Sequence, residues 1–423
     1  MAQSASFPLL DAEDGESVDI SLREYEETEP LDLSDSALRM LRSEVNSDGE
    51  RLSVSFDRNG DAVLQATQYV GIVSLPDGPT IQIRPKAGRT NLLHFLRYAH
   101  GVESVTIERE TSISAGRTFI EALAALYEAE LENVIRQGLH RDYRRVEANE
   151  EHLRGRLNVQ KQIQKQGVAP TQFECSYEEL TYDTLPNQSV LFATSILTRF
   201  VRDQTLKRSL LKHRHLLRQR VTLTPIQPAA LESVELTRLN EYYADLLRLT
   251  KLVLRSIYVR EFLTGEQSSF ALLIDMNQIF ERAVERGVSE AIEERDGWKV
   301  ASQVTTCNLV TDGKHTISIR PDIVIRNSDQ QILLVGDAKW KLGRPPNSDF
   351  YQMVSYQFAH DIPGVLIYPE QRGEIGTQYS VVEQYPLKLV EFPIPTVAED
   401  FDDYTGRVHG MVNEKIRSLV EDS

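Results

Sequence analysis

Thr316–Lys341 reads TISIRPDIVIRNSDQQILLVGDAKWK, and this stretch decides the fold of the C-terminal part of the chain. Two apolar alternating runs, TISIRPDIVI and ILLVGDAKW, flank a polar turn at Asn327–Gln330, the pattern of an antiparallel hairpin. The midpoint between Asp322 and Asp337 falls in that turn, between Asp329 and Gln330. Folding there sets the two carboxylates abreast, with Cβ atoms roughly 5 Å apart. Lys339, two residues beyond Asp337, points to the same face. Pro321 cannot donate to a strand ladder, so it marks an edge or a bend that aims Asp322.

Two carboxylates that close repel by about 3 kcal/mol at an effective dielectric of 20, and one lysine offsets this only in part. A divalent cation resolves the conflict, and oxygen ligands favour Mg²⁺ or Mn²⁺. Such a metal would polarise a phosphate oxygen and lower the pKa of a bound water, with Lys339 orienting that water or steadying charge at phosphorus. The chemistry expected is phosphodiester hydrolysis. A lone Asp-x-Lys is ordinarily a same-face salt bridge, so the expectation rests on the combination with Asp322 in hairpin register.

The flanking segments extend the pattern to α-β-β-β-α-β. A helix is expected from about Asp275 to Arg295, with Phe280, Val284, Val288 and Ile292 on one face. It carries Glu281, either a third carboxylate for the metal or a surface acid beside Arg282. Strands are expected at WKVASQV and GVLIYP, and a helix capped by Ser348 and Asp349 runs to about His360. Gln352 and Tyr356 share a face of that helix, near the hairpin or in ordinary core packing.

Upstream, Arg51–Thr67 and Tyr69–Lys86 each read as two strands, broken at Asn59-Gly60 and at Pro76-Asp77-Gly78-Pro79. Helical patterns follow at Asn91–His100, at Thr118–Gln137 with a stop at Gly138, at Pro186–Arg220 as one helix or a broken pair, and at Leu231–Leu263. The expected class is a multidomain α+β protein: a small β-rich N-terminal module, a helical middle region and a C-terminal α/β domain of αβββαβ order that carries the expected nuclease chemistry. The boundaries are an acidic arm at 1–50 with the composition of a partly disordered segment, the β-rich module at 51–105, the middle region at 106–265, the nuclease domain at 266–400 and a helical tail at 401–423.

Charge is unevenly spread over the 423 residues. The formal net charge is −16, yet the first fifty residues alone hold 14 acids against 3 bases. From Arg199 to Arg220 eight Lys/Arg face one acid, Asp203, either as a solvated helix face or as a phosphate-tracking surface. Arg202, Arg208 and Lys212 from that run, with Arg320 and Lys341 beside the carboxylates, are the candidate nucleic-acid contacts. His213 and His215, two apart, do not share a helix face, which argues against a metal site there. Two distant cysteines, a polar N-terminus and no apolar run of roughly 18 residues suggest a reduced, cytoplasmic protein with no membrane partner. No GxxxxGK[ST] phosphate loop occurs, so nucleotide hydrolysis by that route is not expected.

Asp322, Asp337-Ala338-Lys339 and Gln352-x-x-x-Tyr356, in this order, resemble the PD-(D/E)xK restriction-endonuclease-like nuclease superfamily, which implies a C-terminal α/β restriction-endonuclease-like (αβββαβ) nuclease domain. The wider wording, Ile319–Val324, Gly336–Lys341 and Asp349–Met353, is similar to McrC, the nuclease subunit of McrBC-like modification-dependent restriction systems. Asp275-Met276-Asn277 with Phe280-Glu281, Arg154–Leu157, Tyr177–Asp183 with Asn187, and Ile83–Lys86 with Asn91-Leu92-Leu93 and Tyr98-Ala99 carry the resemblance over roughly residues 65 to 370. The resemblance implies that Asp322 and Asp337 ligand the metal, that Lys339 assists the water, and that Glu281 and Gln352 support the site. It further implies DNA as substrate and a separate McrB-type AAA+ GTPase ring that recognises modified DNA. The ring would receive the N-terminal part of this chain and be stimulated by it, with GTP entering only through that partner. Two other readings remain: a regulatory adaptor that activates the partner NTPase with an unused nuclease fold, and a stand-alone PD-(D/E)xK nuclease in repair or defence.

Overall fold

In a computed structural model of the chain, the residues described are 18–86, 92–102, 118–166, 171–257, 269–293, 297–311, 316–371, 378–381, 385–395, 398 and 400–421. They form two units, one built from Met1–Leu126 with Ser256–Ser423 and the other from Tyr127–Arg255. The mixed α+β class expected from the patterning is the class observed.

The first unit begins inside the acidic segment. Strand β1 (Ile20–Arg23) and helix α1 (Asp35–Met40) precede the hairpin of β2 (Leu52–Phe56) and β3 (Ala62–Ala66), which turns at Asn59-Gly60. Gly60 takes φ +92°, and Asp57 Oδ1 accepts from the amides of Asn59 (2.8 Å) and Asp61 (2.9 Å). Strands β4 (Tyr69–Ser74) and β5 (Thr80–Arg84) pair across the Pro76–Pro79 turn, and helix α2 (Leu92–His100) follows. Residues 18–50 are therefore part of a folded module, with β1 parallel to β5 and Ala37, Met40, Leu41 and Val45 buried in its core. Residues 1–17 of the acidic segment lie outside the described residues.

The middle region is less helical than expected. Helix α3 (Phe119–Gln137) stops at Gly138, which takes φ +103°, as the sequence indicated. Strand β6 (Asp142–Glu150), strand β7 (Arg156–Leu157), helix α4 (Val159–Gln166) and strand β8 (Phe173–Thr181) follow, with the strands in a sheet of order β6-β8-β7. The Pro186–Arg220 pattern is a broken pair, α5 (Leu185–Phe200) and α6 (Gln204–Arg218), because Asp203 accepts from the Leu206 amide at 2.8 Å and starts a new helix. Leu231–Leu263 is not one long helix. Short 3₁₀ turns at Pro228–Ser233 and Glu241–Tyr243 precede α7 (Ala244–Arg255), and the Asn240 side chain takes the Thr237 amide at 2.6 Å in competition with helical pairing. Residues 258–268, which hold the expected stop at Leu263–Gly265, lie outside the described residues.

The chain then supplies strand β9 (Phe270–Asp275) and helix α8 (Met276–Ile292), whose apolar face buries Phe280, Val284, Val288 and Ile292 as expected. Strand β9 completes the N-terminal sheet in the order β1-β5-β4-β9. Next come β10 (Lys299–Ala301), β11 (Cys307–Thr311), β12 (Thr316–Ile319), β13 (Ile323–Arg326), β14 (Ile332–Ala338), helix α9 (Asn347–His360), β15 (Gly364–Pro369), β16 (Gln378–Val381), β17 (Tyr385–Phe392) and helix α10 (Phe401–Glu421). A six-stranded sheet has the order β10-β13-β14-β15-β17-β16, and β11 and β12 form a separate ribbon. TISIRPDIVI is thus two strands, because Pro321 ends one before the other begins. Ser348 and Asp349 sit inside the first turn of α9, not at its cap: the helix starts after Pro346, and Asp349 binds Lys341 and Tyr368 instead.

Strands β4 and β9 approach very closely at Gly71. Its φ is +152°, and a Cβ there would lie 1.9 Å from the carbonyl oxygen of Leu272. Gly71→Ala is expected to destabilise the protein by about 3 kcal/mol, since the backbone of β4 or of the edge strand β9 must move. Gly406→Ala, on the exposed face of α10 with nothing within 4 Å, should act in the opposite direction by about 0.5–1 kcal/mol. Urea unfolding of both variants checks the pair of signs.

Candidate active site

The hairpin register carries the two carboxylates to one place. Ile323 pairs with Gly336 and Val324 with Val335, which sets the next residues out, Asp322 and Asp337, opposite each other at the end of the ladder. The Asp322 Oδ2 accepts from the Ala338 amide at 2.9 Å, so Asp322 is tied directly to the strand end that carries Asp337. Asp337 is 1% exposed, at the junction of β14 with the parallel strand β15, where it pairs with Leu366. A bulge at Ile325/Arg326 and the Asn327–Gln331 turn absorb the odd residue of the loop without disturbing this register.

Lys339 forms an ion pair with Asp337 Oδ2 and donates to Gln352 Oε1 at 3.0 Å. Gln352 Nε2 donates to the Tyr356 hydroxyl at 2.7 Å, and that hydroxyl donates to the Arg320 carbonyl at 3.5 Å. This chain of bonds joins the β14 end to helix α9 and back to the loop before Asp322. The i, i+4 pair of α9 therefore braces the lysine, and Tyr356 also packs in the core with Val324, Val335 and Met353.

Glu281, in the second turn of α8, reaches the pair through a residue that the sequence patterns did not single out. Gln303 Nε2 donates to Asp322 Oδ1 at 2.6 Å and to Glu281 Oε2 at 3.3 Å. Gln303 has φ +53° in the segment after β10, and Arg320 Nε donates to its carbonyl at 2.5 Å. An isolated Gln in a short polar segment carries no sequence signal for such a bridge. Asp275, where the helix was expected to begin, caps α8 by accepting from the Asn277 amide at 2.9 Å, and its charge bears on Glu281, a role the sequence patterns did not assign.

The electrostatics show an excess of negative charge. Burial, followed by the charges of Asp337 and Glu281, pushes the Asp322 carboxyl up to about 8. Burial, with Asp275 and Asp337, raises Glu281 to about 7. Burial works against the charge of Lys339, but the Asp337 and Asp322 carboxylates outweigh it and hold its pKa above the ordinary lysine value. Among the described residues no group of three or more His, Cys, Asp or Glu side chains is already gathered as a metal site. The donor set nevertheless fits a hard divalent cation: two abreast carboxylates, a third linked through Gln303, and one lysine too few to balance them.

The remaining candidates divide. Arg320 lies at the site but is engaged with Gln303, and Lys341 is turned to both oxygens of Asp349, at 2.7 and 3.0 Å. Arg202, Arg208 and Lys212 are exposed in the second unit, on α6 or just before it. Lys207 of the same run is buried, so the basic run is not one continuous solvent-facing stripe.

The chain shares a fold with a solved chain from a refined half-complex of the tetradecameric assembly of Thermococcus gammatolerans McrB AAA+ hexamers with bound McrC, at 18% identity and TM-score 0.62, covering 95% of this chain and 100% of that one. A chain of the Thermococcus gammatolerans McrBC complex also aligns, at 23% identity and TM-score 0.44, covering 64% of this chain and 88% of that one. No curated protein matches the sequence. The family model described as McrBC 5-methylcytosine restriction system component matches residues 64–369, a stretch that holds Glu281, Gln303, Asp322, Asp337, Lys339 and Gln352. The chain belongs to the McrBC 5-methylcytosine restriction system component family.

Proposed function

We propose that the chain is the metal-dependent DNA endonuclease subunit, of McrC type, in a McrBC-like restriction complex. It cleaves methylcytosine-type modified DNA together with an AAA+ GTPase ring whose GTP hydrolysis it stimulates. The observation that carries this reading is the placement of Asp322, Asp337 and Lys339 at one strand end, with Glu281 bridged to them by Gln303. The order of α8, the three sheet strands β10, β13 and β14, then α9 and β15 supports a PD-(D/E)xK reading.

Asp322, Asp337 and Glu281 would hold Mg²⁺ or Mn²⁺, which when bound supplies Lewis-acid charge to a phosphate oxygen and lowers the pKa of a water. Lys339, whose ammonium keeps one N–H beyond those given to Gln352 and Asp337, would orient the attacking water and meet charge developing on the phosphate. Gln352 fixes the lysine by accepting one of its protons, and Tyr356 fixes Gln352 in turn. Gln303 holds Asp322 and Glu281 at a set separation. The solved McrB hexamers with bound McrC make an AAA+ ring the partner of choice.

The test is reconstitution of the full chain with a McrB-type partner on plasmid bearing 5-methylcytosine. Cutting is expected with GTP and Mg²⁺ together, and not on unmethylated plasmid. Stimulated GTP hydrolysis without cutting in any metal would instead support the adaptor reading. Robust cutting by the chain alone would support a stand-alone nuclease.

A further inference from the structure

Trp340 follows Lys339 directly, and its environment is unlike that of an ordinary core tryptophan. It is 1% exposed, with its ring against Phe95 of α2 (5.9 Å) and Phe280 of α8 (5.5 Å), the latter next to Glu281. Its indole N–H is held by Glu24, at 2.9 Å to Oε1 and 3.2 Å to Oε2. Its backbone carbonyl accepts from Lys86 Nζ at 2.5 Å. Glu24 and Lys86 are themselves locked together: the Lys86 amide donates to Glu24 Oε2 at 2.8 Å, and the two charges stand 3.9 Å apart. Both belong to the N-terminal sheet, Glu24 just past β1 and Lys86 just past β5, where the Glu24 amide donates to the Arg84 carbonyl at 3.0 Å.

From this geometry we infer that Glu24 and Lys86 of the N-terminal module are positioning residues of the nuclease centre, acting through Trp340 on Lys339 and Asp337. The inference deepens the nuclease reading and rests on it for the reaction affected. Trp340 is gripped at both its side chain and its main chain, so the strand end beyond Asp337 cannot shift without breaking bonds to the other sheet. A buried ion pair is a poor source of net stability compared with apolar packing of the same volume, but it fixes one arrangement. Desolvation agrees with that purpose: burial raises Glu24 to about 7 and lowers Lys86 to about 8, so both charged forms are held at a cost. Misplacing a reacting group by about 1 Å costs on the order of 10²-fold in rate. The loss of either grip should therefore be felt in catalysis more than in DNA binding.

The experiment uses the full chain with its partner and compares Trp340→Phe, Glu24→Leu and Glu24→Gln. Trp340→Phe removes the N–H donor, Glu24→Leu removes the acceptor, and Glu24→Gln keeps an acceptor of the same shape. Single-turnover cleavage by the first two is expected to fall at least tenfold, with KM for DNA within twofold, and Glu24→Gln should recover most of the rate lost in Glu24→Leu. A second measurement needs no activity: backbone amide exchange at 337–341, where the Lys339 amide donates to the Ile367 carbonyl at 2.7 Å, should quicken in Glu24→Leu and Trp340→Phe. Wild-type cleavage rates with unchanged exchange in folded variants would overturn the positioning role while leaving the nuclease reading intact. If the wild-type complex cuts nothing, the nuclease reading fails instead, and unchanged exchange alone then overturns the inference.

Discussion

Asp337→Ala is expected to lower cleavage of methylated DNA by at least about 10³-fold, the loss of roughly 4 kcal/mol of transition-state stabilisation that removal of the proposed metal ligand would bring. The residue is 1% exposed, pairs with Lys339 and faces Asp322 across the end of the hairpin ladder. Its loss removes an oxygen donor and frees the lysine in one step. Asp337→Asn should be as inactive, because a neutral amide keeps the shape but not the charge. Neither change should prevent assembly with the AAA+ partner, since each relieves repulsion on Asp322 and Glu281 and so need not destabilise the fold. The measurement is single-turnover plasmid cleavage beside partner GTPase stimulation. Wild-type cutting by either variant would remove Asp337 from the site.

Chelation is the second large effect: EDTA should abolish cutting, and stability should depend on metal and pH together. Asp322 is raised to about 8 and Glu281 to about 7, both led by burial and sustained by neighbouring carboxylates. In the unfolded chain both titrate near about 4. Between these limits the native state holds more protons than the unfolded chain, so metal-free stability falls as pH rises from about 4 towards 8. Cation binding displaces those protons, so stabilisation by Mg²⁺ should be small at pH 5 and amount to a few degrees at pH 8. Thermal midpoints in EDTA and in Mg²⁺ across that range decide it. An equal Mg²⁺ shift at pH 5 and pH 8 would show that the cation acts elsewhere.

The core of the candidate site was legible because one hairpin writes its own register: Asp322 and Asp337 are equidistant from a polar turn, and strand alternation adds Lys339. Gln352 and Tyr356 were legible from helical spacing alone. Gln303 was not, since its role depends on a left-handed φ and on Arg320 reaching back to its carbonyl. Strand β6, DYRRVEANE, was missed for a different reason. It is largely exposed along its length and has no apolar alternation, so only its pairing with β8 identifies it. Trp340 stood in the quoted motif, but its partner Glu24 lies 316 residues away in a segment that composition alone marked as an acidic arm.

Strand β9 also fixes the order of events during synthesis. It pairs with β4 from Tyr69↔Asp275 to Ser74↔Phe270, across about 200 residues of intervening chain. At about 5–20 residues per second, the last strand of that sheet leaves the ribosome some 10–40 s after its neighbour. Until then β4 presents an unpaired edge, and the nascent N-terminal module is one strand short. Helix α8 and the carboxylates it serves emerge directly behind the missing strand. The part of the chain that carries the candidate site is therefore translated just behind the strand that closes the N-terminal sheet.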